Sequence, residues 1–328
     1  MENQITAHEV AKLAGVSQSS VSRVFTKGAS VSEKTREKVL KAAEQLGYRP
    51  NEYARSLITR KSSLIGLVMK SVSNPFYPHA VKKFTSELKK LGYSVLLIDT
   101  DDVELQMQDI DALLSYHVAG VVIMDATASF QTAEMLRRFR IPAVLFNRVV
   151  PAAGLHSVSC ENESAAREIA RLLIDRGCES FTYVGGREGA STHIERRRGF
   201  TGELNDKGFT CNVMTGDFTH ASGYRAALKM IETNRITDAV FAANDIMAYG
   251  IFDAFRERGI RVPEQVKLMG FDDIEMSSWP AYNLSTFVQP VDRMVTLAIE
   301  LLLYPERSRK ADGNVHYLPG EMKLRGTT

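Results

Sequence analysis

Gln18, Ser19, Ser20, Ser22 and Arg23 gather hydroxyls, an amide and a guanidinium in one short run. Such a mixture of donors and acceptors is what reading the edges of DNA bases requires. Ser17 precedes the run and can cap a helix, and Val21, Val24 and Phe25 then turn inward. The polar side chains are left outside, at the helix N-terminus, where a DNA-reading helix makes its base contacts. A second set of polar residues lies far along the chain, each just past an apolar run: Asn74, Asn147-Arg148, Asn244-Asp245 and Asp272-Asp273. In sheets of parallel strands that is where ligands bind. A carboxylate accepts from two adjacent hydroxyls, while Arg and Asn offer fixed donors, so this set suits a small polar molecule.

Three short helices position the first group. Thr6 and Glu9 have capping-box spacing, and Val10, Ala11, Leu13 and Ala14 give an apolar face. Gly15 permits a sharp turn before Ser17. Ser32 caps a third helix with Val39, Leu40, Ala43 and Leu46 expected inside, and Gly47 ends it. This is a helix-turn-helix pattern. A three-helix module that binds protein is the competing reading of the bare pattern.

The run Val10-Ala11-x-x-Ala14-Gly15-Val16-Ser17-x-x-x-Val21-Ser22-Arg23, then Val31-Ser32-x-x-Thr35-Arg36, then Leu46-Gly47-Tyr48-x-Pro50-Asn51 resembles the signature of the LacI family of bacterial transcription regulators. The resemblance extends over the whole chain. It implies DNA contacts from Thr6, Ser17, Gln18, Ser19, Ser22 and Arg23. It also implies a hinge helix after Asn51, in which Ala54 and Leu57 meet the minor groove and Leu57 is the wedge. So short a helix is unstable alone, because nucleation is costly. Packing within a linker is the alternative for Leu57.

Charge agrees with that division. The chain has 328 residues and a net charge of +2, yet residues 1–62 hold eleven Lys and Arg against six Glu, an excess of five, leaving −3 for the remainder. A basic head on a mildly acidic body suits a polyanion at the head. Cys160, Cys178 and Cys211 lack metal-ligand spacing, and reduced, buried thiols are expected. No signal-peptide pattern or membrane-length apolar run occurs, which predicts a soluble, cytoplasmic protein. No cofactor or metal is expected.

From residue 64 apolar strands alternate with amphipathic helices. Strands are predicted at 64–69, 93–98, 118–124, 143–146, 181–184, 211–215, 239–242, 266–269 and 284–288. The intervening helices fall at 80–91, 105–116, 132–139, 164–176, 194–207, 221–233, 246–258 and 291–304. Continuous apolar strands between helices mean parallel sheets covered on both faces. Two such units predict an α/β body of two doubly wound lobes with a cleft between them, the family's type I periplasmic-binding-protein fold. Residues 1–50 form the helix-turn-helix domain, 51–62 the hinge and 63–328 the effector and dimerisation body. The first lobe takes 63–160 and 290–322 and the second 161–289. The segment 284–288 and the helix after it are expected to cross back to the first lobe.

The resemblance then assigns the cleft. Asn74-Pro75-Phe76 matches a family motif whose aromatic ring lies against the effector. Arg196-x-x-Gly199-Phe200 implies Arg196, Asn244-Asp245-x-Met247-Ala248 implies Asn244, and Gly270-Phe271-Asp272-Asp273 implies Asp272. Asn147 and Arg148 complete the set, with a structural ion pair as the other reading of Arg148. Asp245 and Asp273 fit helix or turn caps, and Arg197 and Arg198 solvated charges. Asn147 and Glu161 stand where many members carry Asp, so no member's sugar specificity transfers. Gly185-Gly186-x-x-Gly189 lacks dinucleotide-fingerprint spacing and reads as a turn.

The implied function is an allosterically controlled transcriptional repressor, binding a palindromic operator as a homodimer and a sugar or similar metabolite in the cleft. No leucine heptads follow Arg325, which favours a dimer over a coiled-coil tetramer. A periplasmic-type solute-binding protein would explain the lobes but not the basic head. An α/β enzyme would need a catalytic set, and no paired carboxylates, nucleophile elbow or metal cluster stands out.

Overall fold

Thr6 and Glu9 begin the first helix by satisfying each other's backbone. The Thr6 hydroxyl accepts from the Glu9 amide at 3.4 Å, and the Glu9 carboxylate accepts from the Thr6 amide at 2.7 Å. A computed structural model describes residues 5–25, 29–49, 62–70, 74–100, 105–125, 130–150, 154–304 and 314–328. The chain falls into two compact units that divide between Ser62 and Ser63.

In the first unit, α1 (Ala7–Ala14) ends at Gly15, which adopts φ +65°. Next come α2 (Gln18–Val24), capped by Ser17, and α3 (Glu33–Leu46), capped by Ser32. Their core is Val10, Ala11, Ala14, Val21, Val24, Val39, Ala42 and Ala43, with Phe25, Leu46 and Tyr48 packed at its edge. Leu13 and Leu40, expected inside, are 52% and 46% exposed. At about 100° per residue each lies roughly a quarter-turn or more off the centre of its buried arc. Ala42 takes the inward place on α3.

The second unit has two lobes. The first is built on β1 (Leu64–Met69), α4 (Phe76–Lys90), β2 (Ser94–Asp99), α5 (Met107–Ser115), β3 (Gly120–Met124), α6 (Phe130–Arg138), β4 (Ala143–Phe146) and β5 (His156–Cys160). The second is built on α7 (Asn162–Asp175), β6 (Phe181–Val184), α8 (Ser191–Asp206), β7 (Cys211–Met214), α9 (His220–Glu232), β8 (Ala239–Ala242), α10 (Asp245–Glu257), β9 (Lys267–Asp272) and β10 (Ser285–Val288). Then α11 (Val291–Leu303) returns to the first lobe, β11 (Val315–Leu318) joins its sheet, and β12 (Glu321–Lys323) goes back to the second. The strand orders are β11-β5-β4-β3-β1-β2 and β12-β10-β9-β8-β6-β7, parallel throughout except for antiparallel β12.

Two expectations need correction. β10 does not cross back: it pairs in parallel with β9, and only the helix after it crosses. Residues 321–323 pair with β10 and so belong to the second sheet, although the sequence placed the chain in the first lobe up to residue 322. The second lobe is closed by the same segment. Thr327 is buried, and its hydroxyl donates to the Leu268 carbonyl at 2.7 Å and accepts from the Ser285 amide at 2.9 Å. The thiols of Cys160 and Cys178 are buried, but Cys211, on edge strand β7, is only half-buried.

Helices α9 and α10 pack backbone to backbone. A Cβ at Gly250 would lie 2.0 Å from the His220 carbonyl oxygen, and one at Gly223 2.1 Å from that of Met247. Neither neighbour is a side chain that can swing away. Gly250→Ala should therefore destabilise the second lobe by about 1–3 kcal/mol, the range for overpacking. Urea unfolding of the full chain followed by circular dichroism checks this. An unchanged midpoint would show that the helices separate without cost.

Candidate functional site

The strands of both sheets end toward a cavity of about 190 Å³ between the lobes. At several of these ends the backbone takes left-handed angles: Asp125 after β3 (φ +50°), Asn147 after β4 (φ +58°) and Asp272 at the end of β9 (φ +126°). Non-glycine residues adopt such angles at a cost of order 1–3 kcal/mol, and sites that bind or react are where that cost is tolerated.

Asn74, Asn147, Arg148, Arg196, Asn244 and Asp272 all border this cavity. Phe76 does not. Its ring is buried in the first lobe, stacked on Phe146 at 6.5 Å and edge-on to Tyr77 at 5.2 Å. Helix α4 starts at Phe76, so the next residue points about 100° further round. Tyr77 consequently supplies the aromatic wall. Burial pushes the titration of its hydroxyl upward, which keeps it a neutral donor.

Further cavity-lining groups lie outside the set read from the sequence. Asp125, from the first lobe, accepts from Arg148 at 2.5 Å and, across the cleft, from Arg187 at 2.8 Å, both on the same carboxylate oxygen. Arg148 also donates to its neighbour's carbonyl at 2.8 Å and to Thr192 of the second lobe at 3.1 Å. It is thus both an ion-pair residue and a cavity residue. The Val149 amide donates to Ser191 at 3.0 Å, a third link between lobes. Phe218 lies on the opposite wall, its ring 5.8 Å from the Arg148 guanidinium carbon. That ring occupies the space a Cβ would fill at Gly186. Asp125 follows an apolar strand just as Asn147 does, so the same rule points to it. Arg187 lies in the glycine turn, where nothing local marks it.

Arg196 forms the floor. Its Nε donates to Asn162 at 2.8 Å, one terminal nitrogen donates to the Ala243 carbonyl at 2.5 Å, and its guanidinium lies 3.5 Å from the centre of the Phe271 ring. The other terminal nitrogen is 3.9 Å from Asp272, near enough for charge attraction but not for a hydrogen bond. Asp272 accepts from Gln289 at 2.6 Å. Burial drives its carboxyl up to about 7; the Arg196 charge opposes the shift, and buried Asp245 adds to it. Asn244 has both polar ends engaged: its carbonyl caps α10 through the Met247 amide at 3.0 Å, and its amide donates to the Phe218 carbonyl at 3.3 Å.

Among the described residues, four buried polar atoms around this cleft lack a hydrogen-bond partner: Asn147 Oδ1, Arg187 Nε, Arg196 Nη2 and Gln289 Oε1. Unsatisfied buried groups cost about 1–3 kcal/mol each, so several together mark a place built for a polar guest. Asp245 and Asp273 lie outside this cavity. Asp245 is a buried tie, accepting from the Ile274 amide, Ser277 and Thr286 at 3.0, 2.6 and 2.6 Å. Asp273 pairs with Lys323 and Arg325 at 3.1 and 2.5 Å.

On the first unit, Thr6, Ser17, Gln18, Ser19, Ser22 and Arg23 are exposed. The Ser17 hydroxyl is shared between the Ser20 amide at 3.2 Å and the hydroxyls of Ser19 and Ser20 at 2.8 and 2.9 Å. Asn51, Ala54 and Leu57 lie outside the described residues. No helix among the described residues is long and apolar enough to cross a membrane.

Together these features define a DNA-binding regulator carrying a type I periplasmic-binding-protein-like body. Residues 6–51 match the family described as bacterial regulatory proteins, lacI family, and residues 170–328 match a periplasmic binding protein-like domain. The ribose operon repressor of Halalkalibacterium halodurans is 30% identical over 98% of this chain and 97% of its own. Catabolite control protein A of Priestia megaterium is 29% identical over 99% of both. Among solved structures, the lac repressor dimer bound to operator and the anti-inducer ONPF superposes with TM-score 0.88 at 27% identity over 99% of each chain. A complex of the transcriptional regulator CelR with cellobiose gives 0.72 at 27% identity, covering 99% of this chain and 100% of that one. The chain belongs to the LacI family.

The raised titration of Asp272 has a definite sign. Unfolded, an Asp ionises near pH 3.9, whereas the native carboxyl keeps its proton to about 7. Across that window the folded state binds more protons, so this group lowers stability as pH rises. Between pH 5 and 8 the wild type should lose stability relative to Asp272→Asn, by an amount on the order of 2–4 kcal/mol at full ionisation. Urea titrations at several pH values measure it. Parallel curves for the two proteins would place the Asp272 titration in the ordinary range.

Proposed function

We propose that the protein represses transcription as a homodimer, with α2 of each copy reading half of a palindromic operator and a small polar metabolite in the cleft setting operator affinity. The observation that carries this reading is the union, in one chain, of a capped, exposed reading helix and a cleft holding unpartnered buried polar atoms. Relatives named as repressors over nearly the full length support it. The solute-binding alternative is not favoured, because the lacI-family match covers the basic head. The cleft is read as a binding site and not a catalytic one: Asp125 is held by two arginines and Asp272 by Gln289. Acting on bacterial DNA places it in the cytoplasm.

Dimer symmetry requires two half-sites about one helical turn apart. The metabolite favours one arrangement of the lobes, and by linkage DNA alters metabolite affinity by the same factor. Gel shifts on DNA flanking the protein's own gene, with and without a metabolite library, test the whole reading. Replacing Gln18 and Ser19 together should change the selected operator sequence, because base contacts specify while phosphate contacts position. An unchanged consensus would move sequence reading elsewhere.

Asp272→Asn should leave operator binding intact and weaken the metabolite response by about 1.5–3 kcal/mol, the range for bonds to charged groups. It tests the cleft more cleanly than Arg196→Ala, since Arg196 also ties α8 to Asn162 and Ala243. A full response in Asp272→Asn, read as operator release in the same gel shifts, would exclude that carboxyl as a contact.

A further inference from the structure

Granting the cleft reading above, its charge balance says more about the guest. Asp125 answers two guanidinium groups, Arg148 and Arg187, with a single oxygen. Lys70 also borders the cavity and has no ion pair among the described residues. Asp217 also borders the cavity, its carboxylate accepting from the Thr219 amide at 3.0 Å and lying 3.7 Å from Arg225, which does not border it. Within the cavity the four cations Lys70, Arg148, Arg187 and Arg196 therefore outnumber the three carboxylates Asp125, Asp217 and Asp272, even with every carboxylate ionised. An uncharged guest would leave that excess uncompensated beside the buried Arg148 and Arg196, where unmet charge is costly.

The unpartnered atoms describe the remainder of the guest. Arg196 Nη2 and Arg187 Nε need acceptors, whereas Asn147 Oδ1 needs a donor. Arg196 and Asn147 are 2% and 4% exposed, so bulk water cannot serve them freely. Hydroxyl groups answer both needs at once, and Asp272 accepts from hydroxyls once ionised. The cavity of about 190 Å³ admits a molecule of sugar size.

We infer that the effector is a polyhydroxylated anion, a sugar acid or sugar phosphate, with its anionic group between Lys70 and Arg187 and its hydroxyls on Asn147, Arg196 and Asp272. The pairing of Arg187 with Asp125 gives this anion a mechanical lever. It competes with Asp125 for a guanidinium that joins the two lobes.

The experiment uses full-length protein with D-gluconate, D-glucuronate, D-galacturonate and glucose 6-phosphate, against D-glucose and D-galactose. Thermal shift comes first, then calorimetry on whatever binds. At least one anion should raise Tm by several degrees at millimolar concentration, while the neutral sugars do nothing. Whether carboxylate or phosphate wins identifies the anionic group. Arg187→Gln and Lys70→Gln should each weaken that binding tenfold or more, and Arg187→Lys should restore much of it.

Stabilisation by a neutral sugar and by no anion would overturn the inference but leave the cleft reading standing. Anion binding that both Gln variants leave unchanged would also overturn it. Silence from every compound would overturn the inference, and the gel shifts with the metabolite library would then decide whether the cleft reading stands.

Discussion

A guanidinium withdrawn from water must be met from within the protein, and Arg196 obliges groups from three separate elements to meet it. Asn162 at the start of α7, the carbonyl that follows β8, the Phe271 ring of β9 and the Asp272 carboxyl all converge on this one group. Removing such a charge from water costs several kcal/mol unless hydrogen bonds and a counter-charge answer it. The answer here stops one bond short, at the terminal nitrogen near Asp272. The cleft floor is therefore set by the second lobe's core and does not have to be organised by an arriving ligand. Less ordering free energy is then lost on binding.

The roof is held differently. Asp125 with Arg187, Arg148 with Thr192, and the Val149 amide with Ser191 are the polar links across the cleft described above. Each such bond contributes a net stabilisation of about 0.5–1.5 kcal/mol, more for the charged pair. A sum of that size suits a protein that has to open: a ligand shifts such an equilibrium through a comparable difference in affinity between open and closed forms. The rigid floor and the detachable roof use the same residue types, and the distinction lies in which lobe supplies the partner.

Much of this was legible in the residues, for reasons that can be located. β1, β4, β6 and β8 sit in apolar runs flanked by turn residues, so even their boundaries could be read. β5, β11 and β12 escaped notice because His156–Cys160, Val315–Leu318 and Glu321–Lys323 alternate polar and apolar residues and lie toward sheet edges. The capping residues Thr6, Ser17 and Ser32 act through neighbours three positions away, and a local pattern carries that information. Asp125 and Arg187 form their ion pair across 62 positions of sequence, and no local spacing encodes it. Phe76 and Tyr77 show the finest limit. The motif identified the corner, but the helix phase decided which ring faces the cavity.

The chain's last crossings bear on the order in which the protein can be built. β11 is the outer strand of the first sheet and β12 the outer strand of the second, and Thr327 fastens Leu268 to Ser285. Neither lobe is complete until residues 315–327 have emerged from the ribosome. The helix-turn-helix unit, by contrast, has all its core residues within positions 10–43 and emerges early. During synthesis the reading helix precedes the body that governs it. Only when both outer strands are in place does a nascent chain acquire a complete sensor.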